Sequence, residues 1–189
     1  KEKFNQKADQ KDKMNKELRY KATMLFLVGI AWLLYLVTNL INNGRQFYDV
    51  SLGIEGWIPF IPAFIFIYLI WWPLVWVPVF LSMKDKILLK KVAIAFISLI
   101  LISNIIFLLF PTKIIRLEIP GNSITETLVK TFYTLDAPYN LFPSLHVSSL
   151  TLAFLMMYSI KKRLSLRLLP VFVLVLLSPL FIKQHYLLD

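Results

Sequence analysis

VAIAFISLILISNIIFLLF, residues 92–110, is a run of 19 residues whose only polar members are Ser98, Ser103 and Asn104. At about 1.5 Å of rise per residue, a helix of that length covers roughly the 30 Å hydrocarbon core of a bilayer. A segment in lipid must satisfy its own backbone N–H and C=O groups, so this run predicts a transmembrane helix. The pattern repeats on either side. Residues 22–41 form a 20-residue apolar run whose polar members are Thr and Asn. Residues 57–83 are apolar but carry Pro59, Pro62, Pro73 and Pro78 together with Trp57, Trp71, Trp72 and Trp76. Proline at that density predicts a kinked or interrupted helix, and the tryptophans suit interfacial anchoring and packing. Residues 147–160 and 168–182 are shorter, 14 and 15 residues, and reach across a bilayer only when the adjoining His-bearing segments are counted with them. The expected fold is all-α: a polytopic transmembrane helical bundle with five spans and a sixth expected after Asp189.

Composition agrees. Of 189 residues, 58% are hydrophobic and only 17% charged, and the mean hydropathy is +0.66, far from the balance of a soluble domain. The formal net charge of +10 raises nucleic acid as a partner. The cations, however, are confined to inter-helix segments rather than spread over a face with aromatics, so no nucleic acid is expected and topology explains the charge. The absence of Cys excludes disulfides, Cys-ligated zinc and thiol nucleophiles.

Residues 1–21 hold eight Lys/Arg against four Asp/Glu and are read as a solvated basic tail, with residues 22–189 as the membrane domain. Four more cations, Lys84, Lys86, Lys90 and Lys91, follow the second run, and Lys161, Lys162, Arg163 and Arg167 lie between the last two. The remaining connections hold Arg45, then Lys113, Arg116 and Lys130, then Lys183. The split, 16 against 5, alternates as five spans require. It predicts a cytoplasmic N-terminus, and it turns both His-bearing segments to the extracytoplasmic face, with the plasma membrane as the expected location.

Three groups of residues carry chemistry. In Asn140-Leu141-Phe142-Pro143-Ser144-Leu145-His146, Pro143 favours an extended residue before it and can open a helix. Backbone N–H groups near Ser144 and His146 would then face an anion, although Ser144 could be simply a helix cap. In Lys183-Gln184-His185-Tyr186-Leu187-Leu188-Asp189, the i, i+4 spacing of His185 and Asp189 puts both on one face of a helix. A carboxylate could then take one imidazole N–H and leave the other nitrogen free to attack. Lys113 and Arg116, on the same outer side, could hold a phosphate, or could merely snorkel to the interface, as could Lys183. A zinc site of two His and an Asp is disfavoured by the absence of an HExxH pattern or a local His pair.

Phe142-Pro143-Ser144-Leu145-His146 resembles the second motif of the type-2 phosphatidic acid phosphatase superfamily, in the Pro-Ser-Leu-His form that also occurs in inositol phosphorylceramide synthase-like branches. His185 through Asp189 resembles the third motif. The stretch from Phe110 to Glu118 is similar to the weaker first motif, with Leu117 where Pro is usual. Two further departures are Leu109 where the phosphatase pattern has Lys, and Pro179 after Ser178 where it has Arg.

The resemblance implies a six-helix plan and a metal-independent enzyme without cofactor. His185 would be the nucleophile, Asp189 would fix its tautomer, and His146 would be the general acid and base. Arg116 and Ser144, with Lys113 and Lys183 as substitute cations, would bind phosphate. The active-site connection is residues 111–146 and the third motif residues 183–189. The implied substrate is a lipid phosphomonoester or diphosphate reached from the bilayer. A lipid phosphotransferase or head-group transferase using the same residues, and a non-catalytic lipid-binding or transport protein, are the competing classes. Residues 125–135 are expected to form a short amphipathic helix over the site, acting as a lid.

Overall fold

The computed structural model describes residues 2–189. The chain is all-helical, and no strand occurs among the described residues. The helices are α1 (Glu2–Asn42), α2 (Phe64–Leu69), α3 (Trp71–Ser82), α4 (Lys86–Leu109), α5 (Ile124–Leu135) and α6 (Leu145–Phe181), with a 3-10 turn at Ile54–Trp57. Four stretches among the described residues are long and apolar enough to cross a membrane: Asp9–Asn42, Phe64–Ser82, Lys86–Leu109 and Leu145–Phe181.

The basic tail is helix rather than loose chain. α1 runs without a break from Glu2 into the first apolar run, and side chains 9–16 are exposed. Pairs at i, i+4 support this extension: Lys13 with Asp9 at 2.8 Å, Lys16 with Asp12 at 2.7 Å, and Lys21 with Glu17. The proline-rich second run is divided at Ile70 into α2 and α3. Pro73 opens α3, since a missing N–H costs nothing in a first turn.

α6 looks continuous in sequence order but is broken at Lys161, whose backbone is non-helical (φ −141°, ψ 66°). Ser165 Oγ lies 3.4 Å from the carbonyl of Phe154, and the rings of Phe154 and Phe172 meet at 5.2 Å. In one straight helix Ser165 and Phe154 would be roughly 16 Å apart along the axis. Residues 145–160 and 162–181 therefore lie side by side as a helical hairpin. α3 packs on α6 and α1 on α4, around a core that includes Trp71, Val75, Phe96, Leu150, Met157 and Phe172.

The hairpin brings both ends of α6 to one end of the bundle, and the basic segments collect at the other. Tyr20 donates to the carbonyl of Lys86 at 3.2 Å, and Tyr20, Met83, Ile160 and Leu168 pack around one core. At the opposite end a buried amide network ties α1, α4 and the segment before α6. Asn42 Nδ2 donates to the Phe107 carbonyl (2.9 Å) and to Asn140 Oδ1 (2.6 Å), and Asn140 Nδ2 donates to Thr38 Oγ1 (3.0 Å). These groups are buried where water cannot replace a lost partner, so they hold the site end in register.

Candidate active site

Ser144 is the N-cap of α6, and its hydroxyl accepts from the Val147 amide at 3.3 Å. The cap sets the helix start, and with it the direction in which His146 leaves the first turn. Upstream, Thr112 Oγ1 accepts from the amides of Leu141 (2.9 Å) and Phe142 (3.1 Å). One buried hydroxyl thus fastens the first cationic segment to the second motif.

The far end of α6 supplies His185, and here the local structure differs from expectation. His185 and Asp189 do not share a helix face, because α6 ends at Phe181. Lys183 adopts a left-handed backbone (φ 53°), its amide bonds the Leu180 carbonyl at 3.2 Å, and the Gln184 amide bonds the Pro179 carbonyl at 2.8 Å. This is the two-bond helix stop usually built on glycine, here built on lysine. It reverses the chain, and the i, i+4 pair closes across the turn. His185 Nδ1 and Asp189 Oδ2 are 2.9 Å apart, with side chains 7% and 1% exposed. The Tyr186 amide donates to the same oxygen at 3.0 Å.

The two histidines meet. His146 Nδ1 and His185 Nε2 are 2.9 Å apart. A carboxylate oxygen only accepts, so Nδ1 of His185 carries the proton shared with Asp189, and its Nε2 presents a lone pair. His146 Nδ1–H is then the donor to that lone pair. Ser144 Oγ stands 3.4 Å from the same nitrogen. Asp189 Oδ1 is buried without a partner.

Arg116 approaches from the connection after α4. Its Nη1 donates to Gln184 Oε1 and its Nη2 to the Asp136 carbonyl at 3.0 Å. The guanidinium lies over the Tyr133 ring at 4.1 Å, and Nε is buried and unpartnered. Asp136 completes the frame, its carboxylate accepting from Tyr35 (2.8 Å) and from Gln184 Nε2 (2.5 Å). Burial pushes the Arg116 guanidinium below its usual value, and nearby Asp136 opposes this. Burial raises the Asp136 carboxyl, against the hydrogen bond from Tyr35 and the charge of Arg116.

The remaining predicted cations fall differently. Lys183 Nζ donates to the carbonyls of Glu55 (2.7 Å) and Ile58, and burial lowers its pKa while Glu55 raises it. Its ammonium faces the site but already serves the 3-10 turn. Lys113 is not at the site: its Nζ rests over Phe47 and Tyr139, 5.4 and 5.6 Å from the ring centres. Strand-like pairing explains the difference. Lys113 bridges to Tyr139, and the alternation of extended backbone turns Arg116 inward while Lys113 is exposed.

Two cavities flank the histidine pair. One, of about 270 Å³, is lined by Glu55, Ile114, Arg116, Lys183, His185 and Tyr186 among others. The second, of about 410 Å³, is walled by Trp32, Leu36, Trp71, Trp72, Phe132 and Leu135 and ends on His146 and Asp136. His185 borders the first and His146 the second, so the hydrogen bond between them partitions a cationic chamber from an aromatic groove.

Four contributors were missed from sequence. Tyr68 bonds His146 Nε2 through its hydroxyl. Trp71 Nε1 lies 3.1 Å from both the His146 carbonyl and Ser149 Oγ, so it does more than pack. Asp136 and Gln184 orient Arg116. The i, i+3 spacing of Tyr68 and Trp71 was a usable signal, since it sets two polar-tipped aromatics about one turn apart on either side of the break at Ile70. Asp136 had no comparable mark. Among the described residues no group of three or more His, Cys, Asp or Glu is arranged to hold a metal ion. No family model, curated protein or solved structure matches the chain.

Proposed function

We propose that the chain is a membrane-embedded phosphatase that hydrolyses the phosphomonoester or diphosphate of a lipid through a phosphohistidine on His185. The observation that carries this reading is the ordered contact of His146 Nδ1, His185 Nε2 and Asp189 Oδ2 beside a guanidinium with a free, buried Nε. An imidazole whose far nitrogen is held by a carboxylate is an oriented nucleophile. A neighbouring imidazole within reach of the same point is an acid for the leaving group.

In this reading the phosphoryl group enters from the Arg116 chamber and takes the place of the His–His hydrogen bond. The lone pair of His185 Nε2 forms the N–P bond as the P–O ester bond breaks. The lipid oxygen leaves with the proton from Nδ1 of the His146 imidazolium. Water then gives a proton to Nδ1 of His146 and attacks phosphorus. The N–P bond breaks, and inorganic phosphate departs with His185 restored. Arg116 Nε and the first-turn amides of α6 offset charge on the phosphoryl oxygens. The aromatic groove suits the hydrocarbon of the leaving lipid, because it ends at the acid that protonates that oxygen. We read the two arms of α6 as separate crossings, five in all. The basic end then faces the cytoplasm and the histidines lie at the extracytoplasmic face, as the charge split favours.

The test is product identity. Purified protein in detergent, given a lipid phosphate labelled in phosphorus, is expected to release free phosphate and lipid alcohol at a rate unchanged by chelators. His185→Ala is expected to abolish release. Turnover by folded His185→Ala overturns the reading, and a labelled phosphomonoester of an added alcohol, formed in place of free phosphate, makes the protein a transferase.

A further inference from the structure

We infer that Tyr68 is the positioning residue for His146, holding its Nε2 so that Nδ1 alone is presented to the reacting group; this rests on the phosphohistidine reading. Tyr68 is 2% exposed, and its hydroxyl has one partner, His146 Nε2. The two rings lie 5.0 Å apart. The phenol is itself held in place, with the edge of Phe132 from α5 against its ring at 4.9 Å. Trp71 fixes the His146 backbone from the next turn and approaches its ring at 4.6 Å.

The two histidines thus receive different supports. His185 has a carboxylate on its far nitrogen, which accepts only and fixes one tautomer. His146 has a hydroxyl, which both donates and accepts. When the His146 ring is neutral with its proton on Nδ1, Tyr68 donates to Nε2. When the ring is an imidazolium, or neutral with its proton on Nε2, the phenol oxygen accepts from Nε2–H. The same contact therefore persists through both proton transfers. The ring passes one proton, from Nδ1, out to the lipid oxygen and takes one back from water, and Nε2 takes no part. Without the hydroxyl either nitrogen can carry the proton, and the ring is free to turn away. The loss falls on steps that need a proton delivered at Nδ1, and not on attack by His185.

The experiment is the Tyr68→Phe variant of the full chain, which keeps the ring against Phe132. The rate of phosphoenzyme formation is measured by alkaline quench with two labelled substrates, an alkyl lipid phosphate and an aryl phosphate whose phenolate leaves without a proton. The expected result is a fall of about tenfold or more with the alkyl substrate at unchanged KM, and less than about threefold with the aryl substrate, since acid catalysis contributes about 10²–10⁴-fold where the leaving group needs it. In a His146→Ala background, Tyr68→Phe is expected to add nothing. An equal fall with both substrates, or no fall, overturns the assignment of Tyr68. A wild-type protein that forms no alkali-stable phosphoenzyme overturns the phosphohistidine reading itself, whatever the variant does. Should Tyr68→Phe not survive purification, a fluorinated tyrosine at position 68 changes only the acidity of the hydroxyl. The alkyl rate must then move while the aryl rate does not, and unmoved or equally moved rates overturn the assignment.

Discussion

Replacing Asp189 with Asn tests the proposed nucleophile with a magnitude that follows from the contacts. The wild-type carboxylate accepts from His185 Nδ1 at 2.9 Å and from the Tyr186 amide at 3.0 Å through one oxygen, Oδ2. The other oxygen, Oδ1, is buried and unpartnered. An asparagine can enter in two ways. With its carbonyl at the Oδ2 position both hydrogen bonds survive, and the amide NH₂ goes where no partner existed before. With the NH₂ at Oδ2 it faces the Tyr186 N–H, and both bonds are lost along with the His185 tautomer. The first arrangement wins by two hydrogen bonds, about 1–3 kcal/mol. The tautomer therefore persists, and only the charge on the acceptor disappears. A charged hydrogen bond contributes about 1.5–3 kcal/mol and a neutral one about 0.5–1.5, so the positive imidazole that forms on attack loses about 1–2 kcal/mol. At 1.36 kcal/mol per tenfold, phosphoenzyme formation by Asp189→Asn is expected to slow by roughly 5- to 30-fold. Stopped-time labelling with a lipid phosphate measures it. A loss on the order of 10⁴-fold would mean that the amide turns and the tautomer is lost. An unchanged rate would refute the role given to Asp189.

Other perturbations separate the remaining roles. Arg116→Lys removes the paired contacts to Gln184 and the Asp136 carbonyl, the Tyr133 stack and the free Nε; kcat/KM is expected to fall by about 10- to 100-fold, since a point ammonium does not reproduce the planar fork, and steady-state kinetics with Arg116→Ala as the lower bound checks it. Ser144→Ala removes the α6 N-cap and is expected to cost about 1 kcal/mol of stability, read from thermal unfolding in detergent beside any change in rate. Asp136 gives a pH signature. Burial raises its carboxyl in the folded chain, so the folded state keeps that proton longer than the unfolded state. Stability is highest below the ordinary carboxylate range and falls as pH rises through the raised value. The fall in unfolding temperature as pH rises from below the ordinary carboxylate range is expected to shrink in Asp136→Asn, and an unchanged slope would remove Asp136 as its source.

The apolar runs were legible because a helix in lipid needs only length and hydrophobicity, both of which are local. Residues 92–110 and 22–41 declared themselves in this way, and the prolines of residues 57–83 announced the break at Ile70. The pairing of His185 with Asp189 was also legible as a contact, although its geometry was not. Spacing suggests a helix face, whereas the left-handed Lys183 ends α6 and the pair closes across a turn. Lys113 and Arg116 show the limit of local reading. Three residues apart, both fit a phosphate site on paper, yet the extended pairing of residues 112–114 with residues 138–140 sends one to solvent and the other beside Gln184.

Sequence alone determined that this chain is helical with segments long and apolar enough to cross a membrane, and it singled out His146, His185 and Asp189 as candidate site residues, because hydropathy and residue type are properties of short segments. Only the tertiary structure decided that Tyr68 from α2 stands behind His146, that Asp136 and Gln184 frame Arg116, and that the histidine pair divides two cavities. Those contacts join residues 20 to 78 positions apart, and they come together where the hairpin in α6 brings its two ends to one end of the bundle. No local pattern encodes such a closure; it follows from how the helices pack.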